Sequence, residues 1–301
     1  MYDLIIIGGG PAGLTAAIYA IRKRLDVLVI SRDLGGKTNY RLALPWIEDY
    51  QVIRGTEVVN KFRNELEYLD FARHMDTVEK IEREGVSFVV KTRDGGEFSA
   101  KAVILATGTR QVKLGVPGEK EFTMRGLCYS ALSYAPLFID KKTIVIGKED
   151  LALRAAGELA TVAEHVTLIT EDGETLKSPL GQKLVAAKNV TILSHYQVVE
   201  VQGDQFAREV VARDSKGALQ HIPADGTFIE MALTPNTKMV EGLVSLDEKG
   251  RVIIDSANRT NVPGIFAAGD VTNTYAEQVL VAIGEGAKAA LSAYDYLLPT
   301  L

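Results

Sequence analysis

A single cysteine in 301 residues, Cys128, excludes a class of chemistry at the outset. A disulfide or a dithiol redox centre needs two thiols, so neither forms within this chain. Histidine is scarce as well: His74, His165, His195 and His221 show none of the close pairing that a structural zinc or iron site requires, and no metal is expected. Positive charge is not in surplus. With 34 Lys and Arg against 39 Asp and Glu, the formal net charge is -5, and nucleic acid is not an expected partner. No apolar run approaches the roughly 20 residues that span a bilayer, so no membrane span is expected. The N-terminus enters the apolar run 4–7 at once, without the basic region and cleavage site of a secretory signal, which makes a cytoplasmic location the default expectation.

What is present is a long chain with an internal repeat. At about 150 residues per domain the length predicts about two domains, and 47% hydrophobic content is that of a folded protein. Residues 4–31 recur 139 positions later, with Gly147 in the place of Gly8. In the first copy, Leu4-Ile5-Ile6-Ile7 reads as a strand buried on both faces. Gly8-Gly9-Gly10-Pro11-Ala12-Gly13 reads as the turn, 11–24 as a helix and 27–30 as a second parallel strand. In the second copy, 143–146, 147–152, 153–163 and 166–169 take the same places. Each copy runs on into β-rich sequence: 86–92 and 102–107 in the first, and 198–201, 208–213 and 227–233 in the second. A last strand and helix, 264–270 and 277–297, have no counterpart and are read as returning to the first unit. The expected fold class is α/β, with two Rossmann-like dinucleotide-binding domains that each carry a parallel sheet plus a β-meander. The first domain is expected to be discontinuous, 1–117 and 244–301, with 118–243 as the second.

Gly-x-Gly-x-x-Gly between a strand and a helix has a physical task. Gly8 permits the tight turn, Gly10 lets a pyrophosphate approach the backbone, and Gly13 allows close packing. Unpaired N–H groups and the helix dipole favour an anion there without a basic side chain. Two distant segments support the reading: Ala106-Thr107-Gly108 ends one strand, and Gly269-Asp270 ends another with an acid placed for a ribityl or diphosphate hydroxyl. The competing reading of Asp270 is an ordinary helix N-cap. Ser31 stands where an acid for a ribose is customary, and its hydroxyl can still bond a ribose.

With the first turn, four stretches complete a pattern: Leu34-Gly35-Gly36-Lys37, Ile47-Glu48-Asp49-Tyr50, Ala106-Thr107-Gly108, and Gly269-Asp270 followed by Gln278-Val279. On these motifs the chain resembles the low-molecular-weight thioredoxin reductases over nearly its whole length, and is similar to the C-terminal part of the flavoprotein subunit of alkyl hydroperoxide reductase. The resemblance implies FAD, held by Gly8, Gly10, Pro11, Ala12, Gly13, Ser31, Gly35, Gly36, Lys37, Ala106, Thr107, Gly108, Gly269, Asp270, Gln278 and Val279. It places Gln278 near the flavin pyrimidine ring and Gly36 and Lys37 near the flavin edge, and it implies a homodimer formed through the FAD domains.

The departures from that family are specific. Where it has a redox-active Cys-x-x-Cys, this chain has Ser130 and Ser133, and a hydroxyl cannot attack a disulfide as a thiolate does. Cys128 stands two positions upstream and reads as a small buried hydrophobe. In the second turn Glu149 replaces the middle glycine, and Thr170-Glu171-Asp172 replaces the basic stretch that would pair with a 2′-phosphate. The competing reading of Lys148, Glu149 and Asp150 is a solvated helix start with acids on the dipole. The expectation is an FAD-dependent oxidoreductase or electron-transfer flavoprotein without a dithiol and without NADPH, exchanging electrons with a redox protein such as a ferredoxin or with a small-molecule acceptor. Tyr129 and Tyr134 are candidates to cover the flavin edge. The alternatives are an NADH-dependent flavin reductase or oxidase, and a non-enzymatic flavin-binding or sensing module.

Overall fold

The run Tyr2–Ile7 forms an inner strand because apolar side chains leave it on both faces. Leu4 and Ile6 point into one cluster with Leu14, Ala16 and Ala17 of the first helix, whereas Ile5 and Ile7 point into another with Phe88, Val90 and Val103. That alternation is the period of two of a strand, and each such side chain, fully buried, contributes roughly 1.5–3 kcal/mol. The computed structural model describes residues 1–50, 55–171 and 173–301, without the side chains at 48–50 and 71. Glu48, Asp49 and Tyr50 of the motif above, as side chains, and Asp172 lie outside the described residues.

The chain divides into two units. The first comprises Met1–Asn39, Ile53–Arg110 and Thr234–Leu301. Its parallel strands run in the order Arg73–His74, Val27–Ile30, Tyr2–Ile7 and Glu97–Leu105. The long last strand serves two partners along one edge: Glu97 to Ala100 pair antiparallel with the meander strand Ser87–Thr92, and Val103 to Leu105 pair parallel with Ile265–Ala267. The helices Pro11–Arg22 and Val279–Leu297 pack closely because small residues line the contact, and a Cβ on Gly286 would lie 2.2 Å from the Ala12 carbonyl oxygen.

The second unit comprises Tyr40–Val52 and Gln111–Leu233. Its parallel sheet has the order Leu127–Cys128, Gly226–Glu230, Lys142–Gly147, His165–Thr170 and Val190–Ser194, and its meander is Gln197–Gly203, Ala207–Arg213 and Leu219–Pro223. Three expectations change. The segment around 227–233 is a central parallel strand flanked by Leu127–Cys128 and Lys142–Gly147, because its residues are buried on both faces; the third meander strand is the more polar Leu219–Pro223. The second unit's first helix starts at Glu149 rather than 153, with Glu149 and Asp150 in its first turn, where acids favour the dipole. The unit boundaries fall before 117 and before 244, and residues 40–52 group with the second unit, where Trp46 donates to the Leu137 carbonyl at 3.2 Å and meets Phe138 edge-on.

Candidate functional site

In the first unit the three glycines of the first turn do different work. A Cβ on Gly8 would lie 2.2 Å from the Ala106 carbonyl oxygen, and one on Gly13 would lie 1.8 Å from the Gly8 oxygen, so both are demanded by close packing. Gly10 is the exception. It caps the helix at φ -73, which any residue adopts, and a Cβ there meets nothing within 4 Å. No side chain caps the helix and no acid stands in its first turn, so the first-turn amides carry no side-chain cap. Pro11 at the first helical position costs no hydrogen bond.

Other elements close around this turn. Ser31 accepts a bond from the Gly9 N–H at 2.8 Å and donates to the Asp33 carbonyl at 2.7 Å; its proton is spent on holding the turn, which leaves an acceptor lone pair for a ligand. Gly35 donates to the Gly9 carbonyl at 2.7 Å, and a Cβ on Gly36 would be 3.2 Å from the Gly10 Cα. Both Gly35 and Gly36 have positive φ, which turns the chain so that Lys37 faces back. The Lys37 ammonium bonds Thr109 Oγ1 at 2.6 Å and Asp270 Oδ2 at 2.9 Å. Thr107 and Asn236 exchange two bonds of 2.7 and 2.8 Å, and Asn236 N–H donates to the Gly108 carbonyl, which fixes the Ala106-Thr107-Gly108 strand end. Gln278 caps the last helix, and Val279 begins it.

Sequence reasoning passed over three residues here. Glu285 is buried and takes the Gly269 N–H at 2.7 Å, which orients the Gly269-Asp270 turn; the signal was a carboxylate on the otherwise Ala-rich inner stripe of the last helix. Thr109 and Asn236 were unmarked because their partners are distant in sequence. Glu277 is exposed as a residue, yet desolvation of its carboxyl, and then Asp270, hold it above the usual carboxylate range, against Lys37, Arg251 and Lys249.

The second unit offers two further places. Ser130 opens the short helix Ala131–Tyr134; its Oγ donates to Ser133 Oγ at 3.0 Å and accepts from the Ser133 N–H at 3.3 Å, while Ala131 N–H donates to the buried Glu230 carboxylate at 2.7 Å. Cys128 is wholly buried on a neighbouring strand, where burial and then Glu230 push its thiol well up, so it stays neutral. Tyr134 packs with Cys128 and Phe138, and Tyr129 donates to Glu119 at 3.1 Å and is pushed up to about 12, mainly by burial. Both tyrosines are engaged in the second unit's packing.

At the carboxyl ends of the second unit's strands lie two cavities, of about 360 and 110 Å³, that share Glu171, Tyr196 and Gln197. The larger adds His195, Arg213 and Asp214, and the smaller adds Lys113, Lys148 and Gly147. Glu149 has φ 58 in the turn itself, a strained conformation for a side-chain-bearing residue, and its side chain is exposed. Elsewhere, His74, Asp76 and Asp94 hold ligand atoms within 4.8 Å of one another. Their carboxylates are taken by the Thr77 and Asp94 N–H groups and by the Thr92 hydroxyl, so the cluster locks a turn.

Two strand-turn-helix units, each opening its turn with a glycine packed against a neighbouring strand, define a protein built on two dinucleotide-binding folds. The chain belongs to the pyridine nucleotide-disulphide oxidoreductase family, which it matches over residues 2–286. It is 35% identical over 306 residues to an alkyl hydroperoxide reductase subunit of Pseudomonas aeruginosa, covering 99% of this chain and 59% of that one. It is 33% identical over 301 residues to a Bacillus subtilis protein named NADH dehydrogenase, again covering 99% and 59%. This chain thus spans about three-fifths of the length of the curated relatives it matches. Among solved structures, thioredoxin reductase from Streptococcus pyogenes superposes with a TM-score of 0.88 at 35% identity, with 99% of each chain covered. Thioredoxin-reductase-like members of this family are FAD-binding flavoproteins, and the cofactor of this fold is FAD. The open face of Gly10 and the uncapped amides beside it fit its diphosphate. Among the described residues no helix is long and apolar enough to cross a membrane.

Proposed function

We propose that this chain is an FAD-dependent oxidoreductase whose electrons enter and leave at the flavin itself, without a dithiol relay and without dependence on NADPH. The observation that carries this reading is the pair Ser130 and Ser133, hydrogen-bonded to each other at 3.0 Å, in a chain whose single thiol is buried and held neutral. Neither hydroxyl takes up or passes on electrons. Bound FAD supplies the redox chemistry, accepting and releasing electrons at its ring system. In this reading Gly8, Gly10, Pro11, Ala12 and Gly13 present backbone amides to the diphosphate. Ala106, Thr107, Gly108 and Gly269 wall the crevice, Asp270 accepts from a ribityl hydroxyl, and Ser31 offers its remaining lone pair to the ribose. Gly35, Gly36, Lys37, Gln278 and Val279 line the flavin side. The acceptor or donor is a redox protein of ferredoxin type or a small molecule, and the protein is proposed to be a cytoplasmic homodimer.

A second reading, favoured by Glu171 at the mouth of the second unit's cavities, is NADH-dependent reduction of the flavin. One of the relatives bears the name NADH dehydrogenase, and another is a named component of alkyl hydroperoxide reductase. Anaerobic stopped-flow mixing with NADH, NADPH and reduced ferredoxin separates the readings. Bleaching of the flavin by ferredoxin alone supports the first, rapid bleaching by NADH supports the second, and rapid bleaching by NADPH with turnover of a disulfide substrate overturns both.

A further inference from the structure

We propose that Lys37 is the counter-ion that lets the acidic Asp270 and the diphosphate of FAD share one crevice, a positioning residue on which flavin retention depends. The inference rests on the FAD reading above and adds to it a charge balance. The first turn of the helix Pro11–Arg22 holds no basic residue and its end supplies only about half a unit charge, so the cations that act here are Lys37 and, after it, Arg251 and Lys249. Asp270 follows the strand Ile265–Ala267 and Glu277 precedes the last helix, and the Glu277 carboxyl is held up first by desolvation and then by Asp270. A diphosphate brings about two further negative charges to the same place.

Lys37 is the ammonium bonded into this cluster. The segment that carries it is tied to the glycine-rich turn through Gly35 N–H to the Gly9 carbonyl at 2.7 Å. The turn that carries it is held by Gly36 N–H to Asp33 at 2.9 Å and by Thr38 Oγ1 to the Gly35 carbonyl at 2.7 Å. Its head reaches Thr109 and Asp270, so one side chain joins three segments that are far apart in sequence. The Asp270 side chain is 19% exposed and the Lys37 side chain 38%, so the pair is partly screened by solvent and is held chiefly by its geometry. An ammonium has three N–H donors, and two are engaged by protein atoms. The third is available to a cofactor oxygen. In this arrangement Lys37 lowers the electrostatic cost of Asp270 to an incoming dianion, while Asp270 keeps its other lone pairs for a hydroxyl.

The test follows release of FAD on dilution of the holoprotein, read by the rise in flavin fluorescence, with circular dichroism to check folding. Lys37→Met is expected to weaken FAD retention roughly 10–100-fold, and Lys37→Arg, which keeps the charge, to restore most of it. Asp270→Asn is expected to weaken retention in the wild-type background but to recover part of the loss in the Lys37→Met background, because the uncompensated carboxylate is then gone. A purely structural role for Lys37 gives no such recovery. Retention unchanged in Lys37→Met, or effects of the two substitutions that simply add, overturns the proposal while leaving the FAD reading intact. A folded wild-type protein that never retains FAD overturns both.

Discussion

The turns at 8–13 and 147–152 have the same strand-turn-helix frame and different chemistry, four glycines in the first and one in the second, and the contrast shows which glycine serves the fold. The first position is equally constrained in both: a Cβ on Gly8 would lie 2.2 Å from the Ala106 oxygen, and one on Gly147 would lie 2.2 Å from the Glu230 oxygen. A neighbouring strand excludes any side chain there. The middle position is free of such contact in the first unit, where a Cβ on Gly10 meets nothing within 4 Å, so the fold itself does not demand its glycine and the proposed diphosphate would. In the second unit that demand is absent from the sequence: Glu149 occupies the position, at φ 58 and exposed. Packing preserves the first glycine of such a turn, whereas the third position accepts Ala152 in the second unit and the middle one Glu149.

The largest test of this contrast is Gly10→Val. The φ of -73 and the open surroundings leave the fold intact, but the side chain fills the diphosphate's place, so FAD retention should fall by more than about 100-fold while circular dichroism is unchanged. Gly13→Val should do the reverse in kind and destabilise the first unit by roughly 1–3 kcal/mol or more through overlap with the Gly8 backbone, read by denaturant unfolding. If Gly10→Val unfolds the protein instead, the assignment of the middle glycine to a ligand is wrong.

The next effect concerns the serine pair. Purified wild-type protein should show no disulfide reductase activity with any donor, and the double variant Ser130→Cys, Ser133→Cys should form an intrachain disulfide, since the two hydroxyls already lie 3.0 Å apart. Thiol titration of the double variant before and after reduction reads the result. Two free thiols that persist under oxidation would show that the two side chains are not aimed at each other.

A smaller effect is expected at Glu149→Gly. Relief of the left-handed backbone, offset in part by the entropy of glycine, should stabilise the second unit by under about 1 kcal/mol. Removal of an exposed carboxylate from the turn should improve NADH affinity about tenfold. The wild type should bind NADPH with a dissociation constant above about 1 mM and NADH more tightly, given Glu171. Arg213, which lines the larger cavity with Glu171, works against that order, as do Lys113 and Lys148 in the smaller one. Micromolar NADPH binding by the wild type would show that these cations outweigh Glu171.

The smallest effect lies in the first unit's meander. Backbone N–H groups of Asp94 and Thr77 hold Asp76 down to about 2. A carboxyl depressed in the folded state stabilises at pH values above its unfolded pKa of about 4, and that contribution is lost as pH falls from about 4 to about 2. Asp76→Asn should therefore flatten the acid limb of the stability curve over that window, and an unchanged limb would assign acid sensitivity to other groups.

Much of the frame was legible because its signals are local. The runs 4–7 and 143–146 are apolar on both faces, the turns that follow begin with a glycine, and the 139-residue repeat announces two related units. The strand Gly226–Glu230 was misplaced for the opposite reason. Its sequence is equally compatible with a meander, and only its neighbours on both sides make it a central parallel strand. The boundaries moved for a similar reason: residues 40–52 join the second unit through contacts of Trp46 that no periodicity reveals.

The sequence by itself determined the lone thiol and the serines at the spacing of a redox pair. It also determined the acid in the second turn and the glycines that the first turn needs, because each follows from residue type and short-range spacing. Tertiary structure alone decided that Ser31 spends its proton on the turn, that Glu285 steadies Gly269, and that Lys37 meets Asp270 across 233 positions of chain. Contacts of that kind depend on how strands order themselves in a sheet and which ends they bring together. Those outcomes come from packing many buried side chains at once, and no single segment encodes them.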